Sequence, residues 1–322
     1  MLYLNADNIT ALGLNWDKLT DVIHGAVHVL EQEDYSQPIK PYLRYGDLKN
    51  RIIAMPAYIG GDHPMAGIKW IASFPDNIYK NKLRANSVTI LNEHDSGVPI
   101  SMINTSAISA IRTAAVSGLM IREWKKKNGA KKNLKVGING FGPIGRMHLS
   151  MVSSIVGDQL GDVYLHDIGT IDETFIGGEI RSKVKMAASW EECYTDADIF
   201  ITCTVSAAPY IDKAPAKGSL QLNVSLRDYK AEMKDFMDVI VVDDWEEVCR
   251  QNTDIEKMHQ EKGLMKEDTF SIADLICKDP LKDYTDPVVM FNPMGMAIFD
   301  IAVGGYYYRE ALSKNIGTVL PD

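Results

Sequence analysis

The sequence predicts an α/β protein: a doubly wound parallel sheet in the middle of the chain, plus a mixed α+β domain that is discontinuous in sequence. Three observations carry this. From Leu134 onward short apolar runs alternate with helical stretches. Before that point strands follow one another with turn signals and no alternating helix. A glycine cluster at 140–145 stands between the first of the later strands and a helix.

The elements follow in order. Leu19, Val22, Ile23, Ala26, Val27 and Leu30 recur at three- and four-residue steps, one face of an amphipathic helix. Strands are expected at Tyr42–Arg44, Arg51–Met55, Gly67–Ser73 and Ser87–Asn92, separated by Gly60-Gly61-Asp62 and Asp95-Ser96-Gly97. Asn104 or Thr105 caps a long helix through Ile108, Ile111, Ala114 and Leu119 that ends near Lys127. The texture changes at Asn133. Strands are then expected at Leu134–Asn139, Val163–His166, Ile199–Thr204, Leu220–Val224, Val239–Val242 and Val288–Asn292, with a helix at Met147–Val156. The tail Met296–Lys314 is helical again and, being unnecessary to the parallel sheet, is expected to return to the first domain. The domains are therefore set at 1–115 with 297–322, and at 116–296.

Composition narrows the function classes. The chain has 322 residues, 46% hydrophobic, with 34 basic and 43 acidic side chains, a net charge of −9. An acidic chain without a basic block is poorly suited to nucleic acid or an anionic membrane. The start lacks a basic region and a long apolar run, so no signal peptide is expected, and no run reaches membrane-spanning length. The cysteines, Cys193, Cys203, Cys249 and Cys277, match no zinc spacing. They read as reduced thiols of a cytoplasmic protein without a metal.

Residues 140–145 read Gly-Phe-Gly-Pro-Ile-Gly. Gly140 permits the tight turn, Gly142 lets backbone approach a pyrophosphate, and Gly145 lets the helix pack on the strand. The helix N-terminus then offers N–H groups and a positive dipole end to phosphates. Pro143 suits an early helical position. Asp167 ends the next strand, 22 residues after Gly145, where a carboxylate accepts from ribose hydroxyls and repels a 2′-phosphate. The arrangement is that of a Rossmann domain, and it favours NAD over NADP.

Other polar residues have two readings each. Lys40, Arg44, Arg51, Lys69 and Arg112 lie among apolar residues. Singly, each reads as an internal ion pair or a snorkelling chain; converging, they make a carboxylate clamp. Asp228 follows a sheet strand, either to orient water or an amine, or as a turn or cap aspartate. Asp243-Asp244 reads as the cap of a helix starting at Trp245.

These residues resemble the ornithine cyclodeaminase/μ-crystallin family, across almost the whole chain. Met55-Pro-Ala-Tyr58, Gly67-Ile-Lys-Trp70, Ile111-Arg-Thr-Ala-Ala-Val116, the glycine cluster, Val241-Val-Asp-Asp244 and Gly295-Met-Ala-Ile-Phe-Asp300 carry the resemblance. Lys40-Pro-Tyr-Leu-Arg44, Arg51-Ile-Ile-Ala-Met-Pro56, Ile201-Thr-Cys-Thr204 and Asn292-Pro-Met-Gly-Met-Ala-Ile298 are similar to the branch that forms 2,3-diaminopropionate for siderophore synthesis. The resemblance implies a substrate-binding and dimerising first domain made from both chain ends, and a homodimer. It implies Arg44, Lys69 and Arg112 around the substrate carboxylates with Met55 beside them, and Lys69 and Asp228 as proton-handling residues. It extends the cofactor site of Gly140, Gly142, Pro143, Ile144, Gly145 and Asp167 to Thr202, Cys203, Thr204, Ser225, Asn292 and Gly295. The implied reaction is NAD-dependent oxidative cleavage of N-(2-amino-2-carboxyethyl)-L-glutamate to 2,3-diaminopropionate and 2-oxoglutarate. Ornithine cyclodeamination, an opine or imine reductase, and a non-catalytic nucleotide-dependent binding protein are the alternatives. Asn104 departs from the pattern, since many relatives carry an acid there.

Overall fold

The structure, a computed structural model, describes residues 1–321. The chain divides into two compact units: Met1–Arg112 with Gly295 to the C-terminus, and Thr113–Met294. The helix Ala107–Asn128 gives its residues through Arg112 to the first unit and the remainder to the second.

The first unit is a mixed sheet in the order Thr318–Val319, Leu2–Asn5, Pro99–Asn104, Ala85–Asn92, Met65–Ser73, Arg51–Ile59, Tyr35–Ser36, with Tyr42–Leu43 also on Arg51–Ile59. All neighbours are antiparallel except Leu2–Asn5 against Pro99–Asn104. Neither of those two strands was expected from sequence. Leu2–Asn5 is four residues long and runs directly into a helix, Ala6–Leu12, whose capping box is formed by Asn5 and Asn8. So short a run shows no periodicity of its own. Asn104 ends the Pro99–Asn104 strand, and it is the Thr105 hydroxyl that accepts the Ala107 N–H at 3.1 Å.

The strand expected to stop at Met55 continues through Pro56 to Ile59. Proline has no N–H to donate, yet here it costs little. Tyr42–Leu43 pairs with Ile52 and Ile53, and Tyr35–Ser36 with Tyr58 and Ile59, so Pro56 falls in the gap between two edge strands. The helix Trp16–Glu31 is capped by Asn15 and buries Trp16, Leu19, Ile23, Ala26 and Val27. The helix Ala297–Lys314 packs on the Trp16–Glu31 helix and on the three strands Arg51–Ile59, Met65–Ser73 and Ala85–Asn92.

The second unit is an eight-stranded, wholly parallel sheet. Its order is Val184–Met186, Leu160–His166, Leu134–Asn139, Ile199–Thr202, Leu220–Asn223, Val289–Asn292, Val239–Val242, Phe270–Ser271. The central strands are buried along their whole length, which is why they read as continuous apolar runs. Chain order reverses between Leu134–Asn139 and Ile199–Thr202, the switch point at which open α/β sheets bind ligands. Among the described residues no helix is long and apolar enough to cross a membrane.

Candidate functional site

The glycine turn lies at that switch point. Gly140 has φ +94°, and a Cβ there would meet the Cys203 carbonyl at 2.6 Å. A Cβ on Gly145 would lie 2.0 Å from the Gly140 carbonyl oxygen. Both positions therefore exclude every side chain. Gly142 caps the helix Pro143–Val156 with no side-chain hydrogen bond, and the direction of its missing Cβ is open. Uncapped N–H groups beside open space form a cradle of the kind that holds a phosphate. Asp167 anchors the turn: one carboxylate oxygen accepts the Phe141 N–H at 2.6 Å and the other the Gly169 N–H at 2.8 Å. Arg146, which no sequence pattern marked, donates from Nε to the Phe141 carbonyl at 3.2 Å.

Beside the turn, polar residues at the strand ends form one network. The Asp228 carboxylate accepts from the Thr204 hydroxyl at 2.6 and 2.8 Å and from the Ser225 hydroxyl at 2.7 Å. Burial pushes its pKa up, opposed by those hydroxyls. Ser225 also bonds Thr202 at 2.8 Å, and Asn139 joins His166 at 2.7 Å and Tyr210 at 2.5 Å. Asn223 donates to Asn292 at 2.8 Å. Thr202 and Asn292 are fully buried, so their side chains are committed to this network. Cys203 presses its backbone against Gly140, and burial pushes its thiol up. Among the described residues all four cysteines are free. Asp244 caps the helix Trp245–Val248 through the Glu247 N–H, the role expected of it.

The first unit holds a second constellation. Lys69 stands on the central strand Met65–Ser73, paired with Met55 on one side and Thr89 on the other. Its Nζ donates to Asp300 at 2.6 Å and to the Ser109 hydroxyl at 3.3 Å. Arg112, one helical turn beyond Ser109, donates from Nε to the other Asp300 oxygen at 2.9 Å. Lys40 donates to the Gly295 carbonyl at 2.9 Å, and the Arg112 guanidinium occupies the space a Gly295 Cβ would need, 2.5 Å away. Lys69 and Asp300 are 1% and 0% exposed. Burial, with the neighbouring Arg112 and Lys40 charges, pushes Lys69 down to about 7, although Asp300 opposes the shift. Lys69 and Arg112 thus flank the Asp300 carboxylate in a dry setting, with Lys40 nearby on the Gly295 carbonyl, a cationic surrounding suited to an anionic ligand.

The structure gathers Met55, Lys69 and Arg112 but leaves Arg44 elsewhere. Arg44 is exposed, donates to the Leu48 carbonyl at 2.6 Å and lies 5.5 Å from the Tyr42 ring. Gly295, implied at the cofactor, lies in the first unit, where its carbonyl accepts from Lys40. Asp300 ends one of the runs that carry the family resemblance, but no role was read for it, since its partner Lys69 lies 231 residues away. Tyr210 and Asp254 carried no mark in the sequence. Asn104 donates to the Tyr3 hydroxyl at 3.1 Å.

Residues 5–315 match the sequence profile of the ornithine cyclodeaminase/mu-crystallin family. The chain is 36% identical to N-((2S)-2-amino-2-carboxyethyl)-L-glutamate dehydrogenase of Staphylococcus aureus, across 99% of this chain and 98% of that one. It is 25% identical to alanine dehydrogenase of Archaeoglobus fulgidus, across 98% and 97%. Among solved structures, Δ1-pyrroline-2-carboxylate reductase of Thermococcus litoralis, in complex with NADH and L-proline, superimposes with a TM-score of 0.87 at 21% identity, covering 99% of this chain and 100% of that one. An archaeal alanine dehydrogenase dimer with bound NAD gives 0.82 at 24%, covering 100% and 99%. The chain belongs to the ornithine cyclodeaminase/mu-crystallin family.

Proposed function

We propose that this protein is an NAD-dependent dehydrogenase that oxidises N-(2-amino-2-carboxyethyl)-L-glutamate, giving 2,3-diaminopropionate, 2-oxoglutarate, NADH and a proton with consumption of one water. The observation that carries the proposal is the buried pair of Lys69 and Arg112 on Asp300 with Lys40 close by on the Gly295 carbonyl: with Lys69 neutral, Arg112 and Lys40 still outnumber Asp300 in charge, which suits a carboxylate substrate. The likeness to the Staphylococcus aureus enzyme supplies the particular conjugate.

Gly140, Gly142, Pro143, Ile144 and Gly145 form the cradle for the pyrophosphate of NAD, with Asp167 beside it for the adenosine ribose. Cys203, Thr204 and Ser225 border the same turn or its neighbouring network. Bound NAD supplies the hydride acceptor. Arg112 holds a substrate carboxylate. Neutral Lys69 takes the proton of the secondary amine as the imine forms, a task its lowered pKa permits near neutral pH. Asp228 handles the protons of the water that adds to the imine. By analogy with the archaeal dimer, the protein works as a homodimer.

The test is incubation of purified protein with NAD and, separately, the conjugate or ornithine, following NADH, ammonia, proline and 2-oxoglutarate. NADH and 2-oxoglutarate in equal amounts are expected. Ammonia and proline from ornithine, without net NADH, would overturn the reading in favour of cyclodeamination.

A further inference from the structure

The turn that carries Asp228 is held from an unexpected direction. Between Asn223 and Tyr229 the backbone passes through Leu226 at φ +63°, a left-handed conformation that is costly for a residue with a side chain and a genuine outlier for a bulky one. Leu226 is nevertheless buried and ordered by two contacts: its N–H reaches the Asn223 side-chain oxygen at 3.1 Å, and its carbonyl accepts the Asp254 N–H at 2.8 Å. Asp254, the first residue of the helix Asp254–Lys262, then turns its carboxylate back on the same turn. A single oxygen, Oδ2, accepts from the Asp228 N–H at 3.0 Å, the Tyr229 N–H at 3.1 Å and the Asn223 amide at 3.0 Å. The other, Oδ1, is buried and makes no hydrogen bond among the described residues.

A fully buried carboxylate with one oxygen saturated and the other unpaired is an expensive choice. Helix capping does not explain it, because Thr253 already caps that helix through the Glu256 N–H. What Asp254 does uniquely is fix two successive N–H groups, one of them that of Asp228. Asp228 in turn keeps its carboxylate against Thr204, which follows the neighbouring strand, and Ser225 of its own turn. We infer that Asp254 is a positioning residue: it clamps a strained turn so that the Asp228 carboxylate is presented in one orientation. The inference rests on the proposed role of Asp228 in proton handling. A misplacement of about 1 Å at such a group is enough to lower turnover on the order of a hundredfold.

Two measurements test this, one without reference to activity. In Asp254→Ala, hydrogen exchange at the Asp228 and Tyr229 amides is expected to accelerate at least tenfold. In Asp254→Asn, which keeps an acceptor oxygen, it stays near the unmodified rate. Unchanged exchange in Asp254→Ala, with the variant folded, would overturn the clamp. The second is a double-substitution cycle in the NAD assay. Asp254→Ala is expected to lower kcat roughly a hundredfold with KM and NADH binding within about threefold, and Asp254→Asn to recover most of it. In an Asp228→Asn background the second substitution then adds nothing. Additive losses, or a fall in NADH binding that matches the fall in kcat, would show Asp254 acting otherwise. Full activity of Asp228→Asn alone, or an unmodified chain inactive on the conjugate, would sink the functional reading, while the exchange rates still decide the clamp.

Discussion

At the scale of the residue, the chemistry turns on how burial and neighbouring charge set protonation. Lys69 ordinarily holds its proton to about 10.5, but in the folded chain only to about 7. Between those values the unfolded chain binds more protons than the folded one, so this residue makes stability rise with pH across that window. Lys69→Met is expected to abolish that rise in urea denaturation measured from pH 7 to 10. If Lys69 is the base, NADH formation climbs as pH approaches 7 and flattens above it; a rate flat from pH 6 to 8 would count against the assignment. Composition and spacing marked Lys69 and Arg112 as cations needing a partner, but no spacing could name Asp300. An ion pair between residues 231 apart leaves no periodic trace in the chain.

At the scale of the element, the strand–glycine–helix unit was legible apart from the helix start, which is Pro143 rather than Met147, because each of its parts obeys a local rule. Leu134–Asn139 begins and ends where its apolar run does. Gly140 and Gly145 stand where the backbone leaves no room for a Cβ. Gly145→Ala is therefore expected to force the helix Pro143–Val156 away from the turn, costing about 1–3 kcal/mol of stability. It should also weaken NAD binding at least tenfold, which calorimetric titration would show; unaltered affinity would remove the turn from the cofactor site. The elements that escaped notice share a different property. Leu2–Asn5 and Thr318–Val319 are too short for a period, and Pro99–Asn104, though six residues long, opens on a proline; their identity as strands depends on the partners they meet. Pro56 misled in the opposite sense, since a strand tolerates proline only where a neighbouring strand is missing, and that is a matter of topology.

At the scale of the whole molecule, the proposed homodimer is the property most open to direct measurement. On the strand Met65–Ser73, Lys69 faces inward, whereas the next residue, Trp70, points to the opposite side and is 44% exposed. Sedimentation at micromolar concentration is expected to give twice the chain mass, and Trp70→Glu to lower it; a monomer from the unmodified chain would refute the dimer. The sequence by itself determined the parallel sheet, the glycine turn and its acidic companion Asp167, because these follow from periodicity and from steric rules acting within a few residues. Only the tertiary structure decided which charges meet. It joined Lys69 and Arg112 to Asp300, turned Gly295 toward Lys40, left Arg44 in solvent, and set Asp254 beneath Asp228. Those pairings arise from burial, where an unmatched charge is costly, and burial is known only once the chain has folded.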